Sequence, residues 1–226
     1  MRKIFVLQED NTLSETLSLW AKGLSEAFNH EIETVIYNPQ DSSEQFAARI
    51  EEADASLVLI ELTNRGKSQL YLNLCSALRV PYLFVFPNVE FAAERLSVPI
   101  TFLIEDKEKI PFASAFGRFC HSEIIVYKPK DYGDGAQETI NQAKTLFDSF
   151  GLHYTVHQAK KGSYDVEREA VRNAVADGVS FVIVSASRQY GLDDIIFGPK
   201  ERKILKTTEV PIMLINPRAD LYTLCD

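Results

Sequence analysis

The sequence contains little that would tie the chain to a membrane, a metal or a disulfide framework. Three cysteines occur among 226 residues, and they form no Cys-x-x-Cys pair or other metal-ligand spacing. No apolar run approaches the roughly 20 residues that a membrane helix needs. The N-terminus, MRKIFVLQED, lacks the long apolar region and small-residue cleavage site of a signal peptide. These absences predict a cytoplasmic protein with no metal site, reduced thiols and no membrane partner.

Positive charge is also scarce. The chain has 24 Lys and Arg residues and 32 Asp and Glu residues, which gives a net charge of −8. Non-specific nucleic-acid binding depends on Lys and Arg neutralising phosphates, so this balance predicts no nucleic-acid partner. The sequence has no P-loop, no Gly-x-Ser-x-Gly elbow and no dinucleotide fingerprint. We therefore predict a non-enzymatic protein. Nucleoside chemistry centred on Glu61 stays open as an alternative.

Short apolar runs rich in β-branched and aromatic residues recur along the chain and predict strands. Several are continuously apolar, which is typical of strands covered on both faces. The predicted strands are Ile4–Leu7, Ile32–Tyr37, Leu57–Leu62, Tyr82–Phe86, Ile100–Ile104, Ile124–Tyr127, Tyr154–His157, Phe181–Val184 and Ile212–Ile215.

Helical patterns lie between most of these runs. Thr12 with Glu15, and Ser42 with Gln45, each form a capping-box pattern that predicts a helix start, and Gly151 is a fitting helix stop. Strands that alternate with helices indicate parallel sheets built from right-handed crossovers.

The pattern occurs twice. "EEADASLVLIEL" in the first half corresponds to "NAVADGVSFVIVS" in the second, and "RVPYLFVFPN" corresponds to "EVPIMLINPR". We predict two α/β domains, 1–92 and 97–218, joined by "NVEFAAERLS". The first copy has room for four strands and the second for five, so the first copy is the shortened one.

The strand order and the "ADG…VIV…VPIMLI" pattern of the second half resemble the universal stress protein family. The resemblance covers residues 97–217 well and residues 1–92 as an eroded copy, so the whole chain resembles a tandem universal stress protein. It implies an α/β fold with two parallel sheets flanked by helices, of the flavodoxin-like, Rossmann-like type called adenine-nucleotide alpha-hydrolase-like. It also implies that the two domains pair within one chain, through Tyr82–Phe86 and Ile212–Ile215.

Nucleotide-binding members of that family carry a Gly-x2-Gly-x9-Gly-Ser/Thr loop after the fourth strand. Counting back from Gly198 puts Ser185 and Arg188 in the places of the first two glycines, and Pro199 follows Gly198. Gly191 matches a further glycine of the loop. Glycines allow close backbone approach to phosphates, and proline removes an N–H donor, so the ATP-binding motif is degenerate.

The family also carries an Asp at the end of its first strand, and here that place holds Glu105, or Asp106 one residue on. A nucleotide site would therefore combine Glu105 or Asp106 at the ribose and the backbone near Val126 at the base. Its phosphates would be surrounded by the loop residues Ser185, Arg188, Gly191 and Gly198.

The resemblance implies a stress-response protein that acts through protein partners and has an eroded nucleotide site. The alternative is an ATP- or AMP-binding protein that acts as a nucleotide-responsive regulator. Weak ATP hydrolysis also stays open. A homodimer and unidentified protein partners stay open.

Overall fold

Strands and helices alternate along the chain as the sequence predicts. The computed structural model describes residues 1–130, 134–187 and 200–218. The strands in this part of the chain are β1 (Lys3–Gln8), β2 (Glu31–Ile36), β3 (Ala55–Glu61), β4 (Tyr82–Val85), β5 (Arg95–Pro99), β6 (Glu123–Lys128), β7 (Tyr154–Gln158), β8 (Phe181–Ser185) and β9 (Ile212–Ile215). The α-helices are α1 (Glu15–Phe28), α2 (Ser43–Glu52), α3 (Ser68–Leu74), α4 (Lys109–Phe119), α5 (Asp134–Ser149), α6 (Val166–Asn173) and α7 (Lys200–Thr207). Two short 3-10 helices span Arg65–Lys67 and Ile104–Glu108.

The strands form one nine-stranded sheet in the order β2-β1-β3-β4-β9-β8-β5-β6-β7. The pairing of β1 with β2 and β3, of β3 with β4, and of β5 with β6 and β8 is parallel, as is that of β6 with β7. The prediction of two separate sheets is corrected, because β4 and β9, the last strands of the two predicted copies, are neighbours in one sheet.

The chain divides into two compact units. The first contains Met1–Phe91 with the described residues of Ala186–Thr207 and of Leu214–Asp226. The second contains Ala92–Ser185 with Thr208–Met213. The predicted domain boundaries, 1–92 and 97–218, stay a prediction.

The helix starts show where local sequence rules hold. Ser42 accepts a hydrogen bond from the backbone N–H of Gln45, whose side chain reciprocates, so the capping box of α2 is confirmed. The predicted Thr12 cap of α1 is wrong. Ser14 is the N-cap instead, because its hydroxyl accepts from the N–H of Leu17.

The largest correction concerns the first strand of the predicted second copy, which is Arg95–Pro99 and not Ile100–Ile104. The chain turns out of the sheet because Asp106 Oδ2 accepts a hydrogen bond from the N–H of Thr101 at 2.5 Å. The Thr101 hydroxyl in turn accepts from the N–H of Leu103 at 3.1 Å. Three apolar residues that were predicted to be strand are exposed: Phe102, Leu103 and Ile104.

The buried core explains the continuously apolar runs. Every residue of β4, β8 and β9 is buried. These strands have no solvated face, so apolar and polar residues do not alternate along them. Cys75 is buried, and its thiol is free. No helix in the described residues is long and apolar enough to cross a membrane.

Candidate functional site

The second unit has a topological switch point between β5 and β8. From β5 the chain continues to β6 and β7 on one side, and it then returns to β8 on the other side of β5. Leu96 pairs with Phe181, and Ser97 with Val182, across this junction. In open α/β sheets, ligands bind in the crevice outside the carboxyl ends of the strands at such a point. The carboxyl ends here are Pro99 and Ser185.

A cluster of buried polar groups fills this position. Asp106, in the 3-10 helix after β5, accepts a hydrogen bond from the Ser185 hydroxyl at 2.8 Å. Its second carboxylate oxygen accepts from the Thr101 N–H at 2.5 Å. The Asp106 side chain is 0% exposed and Ser185 is 3% exposed. The structure therefore joins two residues that the sequence assigned to one site.

Lys109, the first residue of α4, completes the cluster. Its ammonium lies 2.8 Å from Asp106 Oδ1 and 3.7 Å from Glu167 Oε1, on α6. It also donates to the Pro99 carbonyl at 2.5 Å. Lys109 is 0% exposed, so its charge is neutralised within the protein and not by water. We call Asp106, Lys109, Glu167 and Ser185 the switch-point cluster.

The electrostatics of the cluster keep Asp106 ionised. Burial alone would raise the pKa of its carboxyl group. The charge of Lys109 and the hydrogen bonds from Lys109, Thr101 and Ser185 outweigh burial, and they hold the pKa below its usual value. The carboxylate thus already accepts from three donors inside the protein, which leaves it poorly placed to contact a sugar hydroxyl.

The other predicted site residues are distributed differently. Glu105 is buried in the same 3-10 helix, but Asp106 is the acid that contacts Ser185. Val126 lies inside β6, paired with Val98 on one side and Val156 on the other. The loop residues Arg188, Gly191 and Gly198 lie outside the described residues. The roles predicted for these residues stay predictions.

A second internal carboxylate lies at the start of the predicted phosphate loop, within the first unit. Glu201 on α7 accepts hydrogen bonds from both the backbone N–H and the hydroxyl of Ser187. Glu201 is 2% exposed. A backbone N–H after a strand is the type of donor that phosphate sites use, and here a carboxylate of the chain receives it.

The first unit has an ion pair at its own switch point, between β1 and β3. Glu9 follows β1, and both of its carboxylate oxygens lie 2.8 Å from Lys67 Nζ. The Tyr71 hydroxyl also donates to Glu9. The bond from Lys67, followed by that from Tyr71, lowers the pKa of Glu9.

Sequence reasoning missed Lys109 and Glu167. One signal was available for Lys109, because a lysine at the first residue of a helix opposes the helix dipole and needs a compensating carboxylate. Asp106 stands three residues earlier and supplies it. No comparable local signal exists for Glu167, which joins the cluster only through tertiary folding. Within the ranges described, no group of three or more His, Cys, Asp or Glu side chains could hold a metal ion.

Comparison with known proteins defines the fold. No protein-family model and no curated protein matches the sequence. Among solved structures, a universal stress protein from Archaeoglobus fulgidus DSM 4304 matches with a TM-score of 0.61 and 13% identity, over 96% of this chain and 97% of that one. A functionally unknown protein from Pseudomonas aeruginosa PAO1 matches with a TM-score of 0.60 and 14% identity, over 96% and 92% of the two chains. The chain therefore has the fold of a universal stress protein.

Proposed function

We propose that this chain is a non-enzymatic protein of the universal stress type that acts through protein partners and does not depend on a nucleotide. The observation that carries the proposal is the internal use of the polar groups at the switch point. Asp106 accepts from Ser185, Thr101 and Lys109. A ligand hydroxyl would have to displace one of these donors from a site that is closed to solvent.

The Ser187–Glu201 contact supports the same proposal from the other unit. A phosphate at the Ser187 N–H would first have to displace the Glu201 carboxylate. Because Glu201 is tethered by its helix, a free anion competes against a group at high effective concentration. The degenerate glycine pattern of the loop sequence agrees with a site that no longer binds phosphate.

In this proposal the chain is a tandem protein whose two copies pair with each other. The shortened first copy contributes packing surface, and the stress response is the process in which the protein takes part. In this proposal we expect no turnover of ATP, because the switch-point cluster, all of it within the described residues, contains no solvent-accessible base.

Titration with ATP and with AMP tests the proposal directly. We expect no heat in calorimetry and no change in melting temperature at millimolar nucleotide, since any ligand that binds the native state must stabilise it by mass action. The Ser185→Ala variant is the matched control. A saturable heat in the wild type that is lost in Ser185→Ala would overturn the proposal.

The second candidate function is a nucleotide-responsive regulator. One specific observation favours it, namely that the cluster lies at the carboxyl ends of β5 and β8, where α/β sheets hold their ligands. A nucleotide would then enter by rearranging Lys109 away from Asp106. Under this alternative, the titration gives a heat with ATP or AMP, and measurement of phosphate release distinguishes binding from hydrolysis.

A further inference from the structure

The oxygen atoms around the Lys109 ammonium resemble the ligand set of a hard divalent cation. Asp106 Oδ1 lies 2.8 Å from Nζ, the Pro99 carbonyl 2.5 Å and Glu167 Oε1 3.7 Å. Carboxylate and backbone carbonyl oxygens are the groups that Mg²⁺, Mn²⁺ and Ca²⁺ prefer, and Mg²⁺ commonly uses only one or two carboxylates and keeps several waters.

The burial of the charged groups points the same way. The Lys109 ammonium lies 2.8 Å and 3.7 Å from two carboxylates, and all three side chains are at most 7% exposed. A lysine at the first residue of α4 also opposes the helix dipole, so this is a poor place for a cation unless the carboxylates hold it there. The two carboxylates favour positive charge at this position, and Lys109 supplies it covalently.

We propose that Lys109 is a tethered substitute for a divalent cation, and that the switch-point cluster becomes a divalent-cation site when the ammonium is removed. In the native protein the position is filled, so the protein itself needs no metal there. In Lys109→Ala, four heavy atoms disappear from a closed site that keeps Asp106, Glu167 and the Pro99 carbonyl, and a hydrated cation gains both room and ligands.

The inference does not depend on whether a nucleotide or a protein partner binds, and its test reads metal binding alone. Lys109→Ala is purified free of metal, and its thermal unfolding is measured with and without Mn²⁺. We expect Lys109→Ala to melt below the wild type, and Mn²⁺ at 100-fold excess over its dissociation constant to raise the melting temperature by about 5–10 °C. We expect no change in the melting temperature of the wild type with Mn²⁺.

Two matched variants identify the ligands. Lys109→Ala combined with Asp106→Asn keeps the space and loses an anionic ligand, so its response to Mn²⁺ is reduced or absent. Lys107→Ala removes a nearby, more exposed lysine that pairs with Glu138 at 3.0 Å, and it gains no response. The same response to Mn²⁺ in Lys109→Ala as in the wild type would overturn the proposal.

If Lys109→Ala does not fold without metal, refolding monitored by circular dichroism replaces the melting experiment. Recovery of the native spectrum in Mn²⁺ supports the proposal. Ethylammonium provides the second arm, because it restores an ammonium without supplying a metal. Recovery in ethylammonium alone, or recovery in neither solution, contradicts a divalent-cation site.

Discussion

The ammonium of Lys109 lies 2.8 Å from the carboxylate of Asp106, and both side chains are completely buried. The pair connects the segment after β5 to the start of α4, and Ser185 at the end of β8 donates to the same carboxylate. An internal ion pair thus lies where a doubly wound sheet would otherwise receive a ligand. Removing either partner should lower the free energy of unfolding strongly, because each charge depends on the other for neutralisation.

Asp106→Asn is predicted to destabilise the protein by about 3–5 kcal/mol, since the substitution leaves the Lys109 charge buried without its nearest carboxylate. Urea unfolding measures the change. The matched control is Glu138→Gln, which breaks the more exposed pair with Lys107 and should cost at most about 1 kcal/mol. Equal losses in the free energy of unfolding would show that the buried pair contributes no more to stability than the exposed pair.

The same pair predicts a pH dependence. The folded pKa of Asp106 lies below its usual value, so the ionised group stabilises the native state above the unfolded pKa of about 3.9. That stabilisation is lost as the pH falls through the lower, folded pKa. The difference in free energy of unfolding between wild type and Asp106→Asn should therefore be constant near neutrality and shrink in acid. Urea unfolding of both proteins at a series of pH values checks this, and a difference that does not change with pH would refute it.

Asn216, which follows β9, is predicted to be a structural tie within the first unit. Its amide nitrogen donates to the carbonyls of Cys75 at 2.7 Å and Leu78 at 3.0 Å. Its amide oxygen accepts from the Tyr82 hydroxyl at 2.9 Å. Asn216→Asp keeps the acceptor but turns an oxygen toward two carbonyl oxygens, so we expect a loss of about 2–4 kcal/mol in urea unfolding.

Tyr82→Phe is the companion variant for Asn216. It removes only the bond from the hydroxyl and should cost about 1 kcal/mol. An Asn216→Asp protein that is no less stable than Tyr82→Phe would mean that the two carbonyl bonds contribute nothing.

Buried strands such as β8 and β9 were predictable from the sequence, because a fully covered strand must be apolar at every position. The strand β5 was misplaced because the exposed run at Phe102–Ile104 is as apolar as a buried strand. The hydrogen bonds from the N–H of Thr101 to Asp106 and from the N–H of Leu103 to the Thr101 hydroxyl turn that run out of the sheet, and apolar periodicity does not report such bonds.

The candidate site was predictable only in part. Family resemblance pointed to Asp106 and Ser185, and the structure joins them. It could not indicate that Lys109 and Glu167 occupy the same space, because charged residues far apart in sequence normally indicate solvated surface. The pairing of Lys109 with Glu167 therefore emerged only from the tertiary structure.

At Gly23, helix propensity and packing predict opposite effects of an alanine substitution on the stability of the protein. Gly23 lies in the interior of α1, where replacement by alanine ordinarily stabilises a helix by up to about 1 kcal/mol. A Cβ atom at this position would lie 2.3 Å from Phe91 Cδ1. The Phe91 ring packs edge-on against Trp20, with ring centroids 5.2 Å apart, so moving the ring aside would disturb that contact.

We therefore predict that Gly23→Ala destabilises the protein by about 1–3 kcal/mol, the usual cost of overpacking. A double-mutant cycle with Phe91→Ala separates the two effects. Phe91→Ala alone should destabilise through the lost packing on Trp20. Adding Gly23→Ala to that background should then be neutral or stabilising, because the obstruction is gone and the helix propensity of alanine remains. Urea unfolding of the four proteins gives the coupling free energy, and additivity of the two substitutions would show that the Phe91 ring does not control the response at Gly23.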